Sequence, residues 1–238
     1  MVVSGATPIT VLYADAELAV VDKPAGLMVH DSALARGETE FALDRLRAQF
    51  GRRVYFAHRL DRATSGCLLL AFDAAMAAAL GKAFMAREID KQYLAIVRGW
   101  PEAAGVIDHP LDGGPGKPLK KPAITAFARL ATAELPIPSS DFPTSRYALL
   151  RCEPHTGRFR QIRRHLKHIH HHLIGDSSHG DGRHNRVFRA MGISRMLLHA
   201  ERLAFVHPSG GERVQVQAPL DGEFSRAFAR LGWETGPR

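Results

Sequence analysis

The chain has 238 residues, of which 45% are hydrophobic and 24% charged, a composition that excludes a disordered chain and is typical of a folded globular protein. Lys and Arg number 32 against 24 Asp and Glu, so the formal net charge is +8, which favours a polyanionic partner such as nucleic acid. The two cysteines do not suggest a disulfide scaffold, and no apolar stretch is long enough for a membrane helix, so we predict a cytoplasmic protein without membrane contact.

The spacing of apolar residues and turn residues predicts short strands mixed with helices. In the first half of the chain we predict two strands within residues 9–23, a helix at 41–50, strands at 53–57 and 67–72, a helix at 74–87 and a strand at 93–97. Residues 111–122 (LDGGPGKPLKKP) should form an exposed basic loop. Beyond this loop we predict strands at 123–134 and 147–153, a helix at 161–168, strands at 197–206 and 214–218, and a closing helix at 221–231.

Strands and helices do not alternate regularly along the chain, which argues against a doubly wound parallel sheet. The order favours the α+β class, with an extended mixed, mainly antiparallel sheet flanked by helices and loops. We expect one domain over residues 1–238, with its core at about residues 10–220.

The stretch at residues 58–66, HRLDRATSG, is the strongest candidate for chemistry. It places Asp61 between Arg59 and Arg62, in a loop between two predicted strands. Such a carboxylate can be half of a surface ion pair, or a nucleophile or base that nearby cations keep ionised. The residue types alone leave both interpretations open.

The whole nine-residue string resembles the signature loop of the RluA-type family of pseudouridine synthases, in which HRLD is followed by two residues and then TSG. Further matches to that family occur in the same order at residues 22–27 (DKPAGL), 91–99 (KQYLAIVRG), 155–165 (HTGRFRQIRRH), 174–176 (IGD) and 198–200 (LHA). Several motifs in one order are far more specific than a single one, and they cover nearly the whole chain.

This resemblance implies a single pseudouridine synthase catalytic domain with Asp61 as the nucleophile. It also implies that Arg59 enters the RNA stack where the target base has flipped out, and that Tyr93 stacks on the uracil. Ile162 would line the pocket, and Arg163 would pair with the catalytic carboxylate. Isomerisation of uridine to pseudouridine changes no oxidation state, so we expect no cofactor and no metal.

The RNA substrate is less firmly indicated than the reaction. The segments at residues 164–168 and 175–186 resemble a branch of the family that modifies uridine 65 of tRNA, which makes structured RNA, and tRNA in particular, the expected partner. Ribosomal RNA remains an alternative substrate, and a non-catalytic RNA-binding protein of the same fold an alternative function. The cations expected to contact the RNA backbone are Arg62, Arg158, Arg160, Arg164 and Lys167.

Some features depart from the family pattern or invite another interpretation. Arg160 stands where the family usually has His, and His172 where it usually has Pro. The histidines of residues 165–172 could suggest a metal site, but their Lys- and Arg-rich surroundings favour phosphate contact or packing.

The chain begins almost directly with the catalytic motifs, so no S4-type RNA-binding domain is expected. We also expect a monomer.

Overall fold

The computed structural model describes residues 7–30, 40–138 and 142–233. Its strands are β1 (Thr10–Ala14), β2 (Leu18–Lys23), β3 (Tyr55–Phe56), β4 (Ser65–Ala71), β5 (Asp90–Arg98), β6 (Ala104–Asp108), β7 (Ile124–Leu135), β8 (Ser145–Pro154), β9 (Leu198–Val206) and β10 (Arg213–Gln217). Its helices are α1 (Ala42–Phe50), α2 (Ala74–Ala86), α3 (Gln161–His168), α4 (Gly182–Ala190) and α5 (Gly222–Leu231). Within the described ranges, no helix is long and apolar enough to cross a membrane.

The chain divides into two compact units. The first comprises Met1–Lys91 with Ala200–Pro219, and the second comprises Gln92–His199 with Leu220–Arg238. The expectation of a single domain over residues 1–238 stays a prediction.

The first unit is built on antiparallel strand pairs. β2 pairs with β1 and with β4, β3 also pairs with β4, and β10 pairs with β9. All seven residues of β4 are buried, which explains why this strand is almost continuously apolar instead of alternating. α2 packs against β4, and its Met76 and Leu80 join Leu18, Leu69 and Phe205 in one hydrophobic cluster.

The second unit contains β5, β8, β7 and β6 side by side, and each neighbouring pair is antiparallel. α5 begins where the Asp221 carboxylate accepts the backbone N–H of Phe224 at 2.9 Å. From this start, Phe224 and Phe228 are buried beside Leu94 and Tyr147. α3 packs against β7 and β8, and therefore lies on the framework of this sheet.

The predicted α+β class is confirmed, and the predicted helices and strands are present with small differences at their ends. The sequence does not predict β6 or α4. In β6 only Ile107 is buried, so the alternation that marks a strand is weak. α4 follows a Gly- and Asp-rich run that is typical of a loop, and it buries only His184 and Phe188.

Candidate active site

The HRLD stretch connects β3 to β4 in the first unit. It contains a tight turn, in which the backbone N–H of Thr64 donates to the carbonyl oxygen of Asp61 at 3.0 Å. Asp61 is half-exposed, whereas Leu60 and Thr64 on either side of it are buried. The following Gly66 has φ 106°, and a Cβ atom there would collide with the backbone of Ala200. Only glycine fits such a close approach, which accounts for the end of the motif.

A buried lysine anchors this loop. Lys23, at the end of β2, has 0% exposed surface. Its ammonium donates to the carbonyl oxygens of Pro24 at 2.8 Å, Leu27 at 2.8 Å and Arg62 at 3.1 Å. The backbone N–H of Gly26 donates to the same Arg62 carbonyl at 2.9 Å. The KP-x-G turn is therefore fixed to the residue that directly follows the candidate nucleophile. The sequence marks this turn as a motif but does not predict the anchoring role of the lysine.

The first residue of the HRLD stretch is a second anchor. The His58 Nε2 accepts the backbone N–H of Leu69 at 3.0 Å, and its ring packs against the Phe84 ring with centroids 4.7 Å apart. Burial, together with the charge of Lys91, lowers the pKa of His58 to about 3. The ring is therefore neutral at physiological pH, as its acceptor role requires.

Arg59 and Arg62 lie on either side of the candidate carboxylate, and both side chains are exposed. The Nη1 atom of Arg59 lies 3.3 Å from the Nε2 atom of His30. Exposure on both sides of the loop suits residues that are predicted to enter or contact RNA.

The second unit carries the other predicted substrate residues. Tyr93 is half-buried on β5, opposite Cys152 of β8. Ile162 and Arg163 lie in the first turn of α3, and both are 6% exposed.

The start of α3 is fixed by a buried glutamine. The Gln161 side chain donates from Nε2 to the carbonyl oxygen of Ile124 and to the Thr125 hydroxyl, both at 2.9 Å. Its Oε1 accepts from the Thr156 hydroxyl at 2.7 Å and from the backbone N–H of Arg158 at 2.9 Å. The T-G-R-x-x-Q pattern is therefore a hydrogen-bonded turn that sets the direction of the helix.

Arg163 forms a buried, bidentate ion pair with Asp176. Its Nε donates to Oδ2 at 2.7 Å and its Nη2 to Oδ1 at 2.8 Å. The backbone N–H groups of Ser178 and His179 also donate to Asp176 Oδ1, at 2.9 and 3.0 Å. Burial acts to raise the pKa of Asp176, but the hydrogen bonds and charge of Arg163 and the two N–H groups outweigh it and lower the pKa.

Asp176 thus fixes the predicted site residue Arg163, a role that the sequence does not predict, because Gly175-Asp176-Ser177 has the composition of an ordinary turn. Its place in the IGD motif is the signal that could have found it. The pairing of Arg163 with Asp61 stays a prediction.

The predicted RNA-contacting cations of the second unit differ in their surroundings. Lys167 is exposed, and the Arg160 guanidinium lies 4.8 Å from the centre of the Phe159 ring. Arg158 donates from Nε to a backbone carbonyl at 3.0 Å, and Arg164 forms an ion pair with a carboxylate at 2.7 Å. Arg158 and Arg164 therefore hold parts of this unit together, whatever they contribute to RNA.

The histidines of residues 165–172 are used mainly in packing. His165 is buried and donates from Nε2 to the carbonyl oxygen of His109 at 3.0 Å, while the His168 ring stacks on the His109 ring with centroids 3.8 Å apart. His171 and His172 each donate from Nδ1 to a backbone carbonyl at 3.0 Å. In the parts of the chain that the structure covers, no group of three or more His, Cys, Asp or Glu residues could hold a metal ion.

Comparison with protein-family models gives a match to the family described as RNA pseudouridylate synthase, over residues 17–168. The chain is 42% identical over 234 residues to tRNA pseudouridine synthase C of Vibrio cholerae, which covers 94% of this chain and 96% of the relative. It is also 42% identical over 233 residues to the protein of the same name from Salmonella typhimurium, which covers 94% of this chain and 90% of the relative.

Solved structures with a similar fold include two human proteins. Human RNA Pseudouridylate Synthase Domain Containing 4 superposes with a TM-score of 0.71 at 24% identity, covering 94% of each chain. Human RNA Pseudouridylate Synthase Domain Containing 1 gives a TM-score of 0.67 at 26% identity, covering 97% of each chain.

Proposed function

The chain belongs to the RNA pseudouridylate synthase family, and we propose that it converts uridine 65 of tRNA into pseudouridine. The observation that carries the choice of tRNA is the 42% identity to proteins named tRNA pseudouridine synthase C, over 94% of this chain. The net charge of +8 suits a polyanionic substrate.

In the proposed reaction Asp61 is the nucleophile. The bond from the ribose C1′ to N1 of uracil breaks, the base turns, and a bond from C1′ to C5 forms. C5 loses its proton and N1 gains one, so the atoms and electrons of the nucleoside are conserved. The half-exposed position of Asp61, in a loop anchored by Lys23 and His58, supports this role because a nucleophile must be both accessible and fixed.

The target base must leave the RNA helix before its glycosidic bond can be reached. In our proposal Arg59 takes the vacated place in the stack, and Tyr93 stacks on the flipped uracil, since an aromatic ring is a suitable platform for a base. Ile162 lines the pocket, and Arg163 pairs with Asp61 and favours its ionised form. The buried ion pair of Arg163 with Asp176 supports a fixed position for this guanidinium.

The backbone of the RNA would be bound by Arg62, Arg158, Arg160, Arg164 and Lys167. We propose that the enzyme acts as a monomer in the cytoplasm and that residues 1–238 form one catalytic domain.

The proposal is tested with the purified protein, an unmodified tRNA transcript and a ribosomal RNA transcript. Chemical mapping should find pseudouridine at position 65 of the tRNA and none in the ribosomal RNA. Asp61→Asn keeps the size of the side chain but removes its charge, so it should abolish product while RNA affinity stays within a few-fold. Asp108→Asn, at an exposed position, is the matched control and should keep full activity. Turnover by a folded Asp61→Asn protein would exclude Asp61 as the nucleophile, and modification of only the ribosomal RNA would exclude the tRNA assignment.

A further inference from the structure

The basic loop at residues 111–122 has a defined backbone conformation. Its two ends form a bridge, in which Leu111 and Lys121 exchange backbone hydrogen bonds at 3.0 and 2.9 Å. At its tip the backbone N–H of Lys117 donates to the carbonyl oxygen of Gly114 at 3.0 Å, and Gly116 has φ 73°. Pro at the second and Gly at the third position of such a turn are the residues that a type II turn favours. The Gly- and Pro-rich composition therefore encodes a hairpin-like loop.

A side chain from α3 fixes the loop at its base. Arg164 donates from Nη2 to the Asp112 carboxylate at 2.7 Å and from Nη1 to the Asp112 carbonyl oxygen at 3.0 Å. The other oxygen of the carboxylate accepts the backbone N–H of Gly114 at 2.9 Å. Arg158 donates from Nε to the carbonyl oxygen of Pro122 at 3.0 Å, so an arginine holds each end of the loop.

Packing adds to this fixation. A Cβ atom at Gly114 would lie 2.7 Å from the Phe159 ring, so the loop backbone lies directly on that ring. The His109 ring, just before the loop, stacks on the His168 ring at the end of α3 with a centroid distance of 3.8 Å. Phe159, just before α3, therefore supports the loop, and His168, at the end of α3, supports its base.

The side chains that the loop presents are cationic. Lys117, Lys120 and Lys121 are all exposed, and within the described ranges none of them forms an ion pair. Asp112, the acidic residue of the loop, is already paired with Arg164. Three unneutralised lysines on a fixed backbone match the repeated negative charges of a nucleic acid, because each phosphate that is neutralised releases condensed counterions.

We propose that the basic loop is a preformed docking surface for the phosphate backbone of the RNA substrate, and that Asp112 and Arg164 are positioning residues for it. The proposal rests on the proposed function, since RNA is the partner. In it Lys117, Lys120 and Lys121 make the phosphate contacts of the loop, while Arg164, in addition to its own proposed contact with the RNA backbone, holds the loop in position. Fixing the loop in advance removes part of the entropic cost of ordering it on binding.

The substitution Asp112→Asn separates positioning from simple charge. It removes a negative charge from a cationic surface, so electrostatics alone predicts tighter RNA binding. Positioning predicts weaker binding, because the loop loses its ion pair with Arg164. We expect the dissociation constant for an unmodified tRNA transcript to rise between about twofold and about tenfold, the range for ordering one further flexible side chain. Asp108→Asn removes the same charge at an exposed position four residues earlier, where no ion pair is described, and should bind RNA as tightly as the wild type or more tightly.

The lysines are tested with the triple substitution Lys117→Ala, Lys120→Ala and Lys121→Ala. When the salt concentration rises from 50 to 200 mM, binding weakens by about 3.5-fold for each phosphate contact that the protein makes. The triple variant makes fewer such contacts, so its affinity should depend less steeply on salt. The KM for tRNA should rise while kcat changes little. Lys82→Ala, an exposed lysine of α2, is the control and should leave both constants unchanged.

Equal dissociation constants for Asp112→Asn and Asp108→Asn, or tighter binding by both, would overturn the positioning role. If RNA binding by the triple variant had the same salt dependence as binding by the wild type, the docking surface would be overturned. This variant changes only exposed side chains, so the test remains valid even if Asp112→Asn fails to fold. Pseudouridine formation by the wild type is measured in the same samples. Absence of product from the wild type would count against the proposed function, whereas an active wild type with unaffected loop variants would count against the docking surface alone.

Discussion

Replacing the buried Lys23 with methionine tests whether the HRLD loop depends on this anchor. Methionine has a similar length and volume, but it cannot donate to the carbonyl oxygens of Pro24, Leu27 and Arg62. The substitution therefore leaves the core filled and removes the bonds that the ammonium makes to the KP-x-G turn and to the HRLD loop, while the backbone bond from Gly26 to Arg62 remains. We expect lower stability and a slower chemical step.

The size of the effect follows from the burial of the three hydrogen bonds. The bond to Leu27 is fully buried, so its carbonyl would be left without a donor at a cost of about 1–3 kcal/mol. The other two bonds are only partly buried, so water can replace them and each costs about 0.5–1 kcal/mol. The total is roughly 2–5 kcal/mol, which should lower the Tm by roughly 4–20 °C. A shift of about 1 Å in the loop can reduce the rate of a catalysed step by about 100-fold.

Thermal unfolding and single-turnover pseudouridine formation at saturating RNA measure the two effects of Lys23→Met. Lys82→Met, which changes an exposed lysine of α2, is the matched control and should behave as the wild type. If Lys23→Met kept both the wild-type Tm and the wild-type single-turnover rate, the ammonium would not be what holds the loop.

Two further substitutions test a substrate residue and the second anchor. Tyr93→Ala should lose about 1–3 kcal/mol of base stacking and raise the KM for tRNA, whereas Tyr93→Phe should retain RNA binding. Wild-type kinetics for Tyr93→Ala would mean that another group supports the base. The pKa of His58 is lowered to about 3 in the folded protein, so the unfolded chain binds its proton first as the pH falls. The contribution of neutral His58 to the free energy of unfolding is fully present above about pH 6.5. It is lost progressively as the pH falls towards 3, at about 1.4 kcal/mol per pH unit. His58→Gln should therefore give a flatter dependence of Tm on pH between 5 and 7, and an unchanged slope would contradict this assignment.

Much of the fold could be predicted from the sequence because its signals are local. The continuous apolar run of β4 and the alanine- and methionine-rich α2 each carry their pattern within a few residues. β6 and α4 lack such patterns because most of their side chains face solvent. Their positions depend on contacts made elsewhere in the second unit, such as the hydrogen bond between the Tyr147 hydroxyl and His184 at 3.0 Å.

The candidate site, like the fold, could be predicted from the sequence only where its signals are local. The HRLD loop can be recognised in the sequence, because its carboxylate, its turn and its glycine lie within a few residues of one another. Its anchor cannot be recognised in the sequence, because Lys23 reaches a carbonyl 39 residues away. The same holds for the basic loop, in which Asp112 pairs with an arginine 52 residues away. Contacts between residues so far apart produce no recognisable pattern of spacing in the sequence. A motif can therefore mark such residues as important, but it does not give their roles.

The arginines of α3 show what the structure adds to a motif, because neighbouring residues of one type have different surroundings. Arg163 is buried in a bidentate pair with Asp176, whereas Arg160 is only half-buried at the start of the helix and lies over the Phe159 ring. We therefore expect Arg163→Ala to reduce the single-turnover rate even at saturating RNA, and Asp176→Asn to reduce it in the same way, because both break the pair that fixes the guanidinium. Arg160→Ala should instead weaken RNA binding and flatten its salt dependence, with little change in the single-turnover rate. Identical profiles for Arg160→Ala and Arg163→Ala, in both salt slope and rate, would mean that the motif assigns the wrong arginine to the active site.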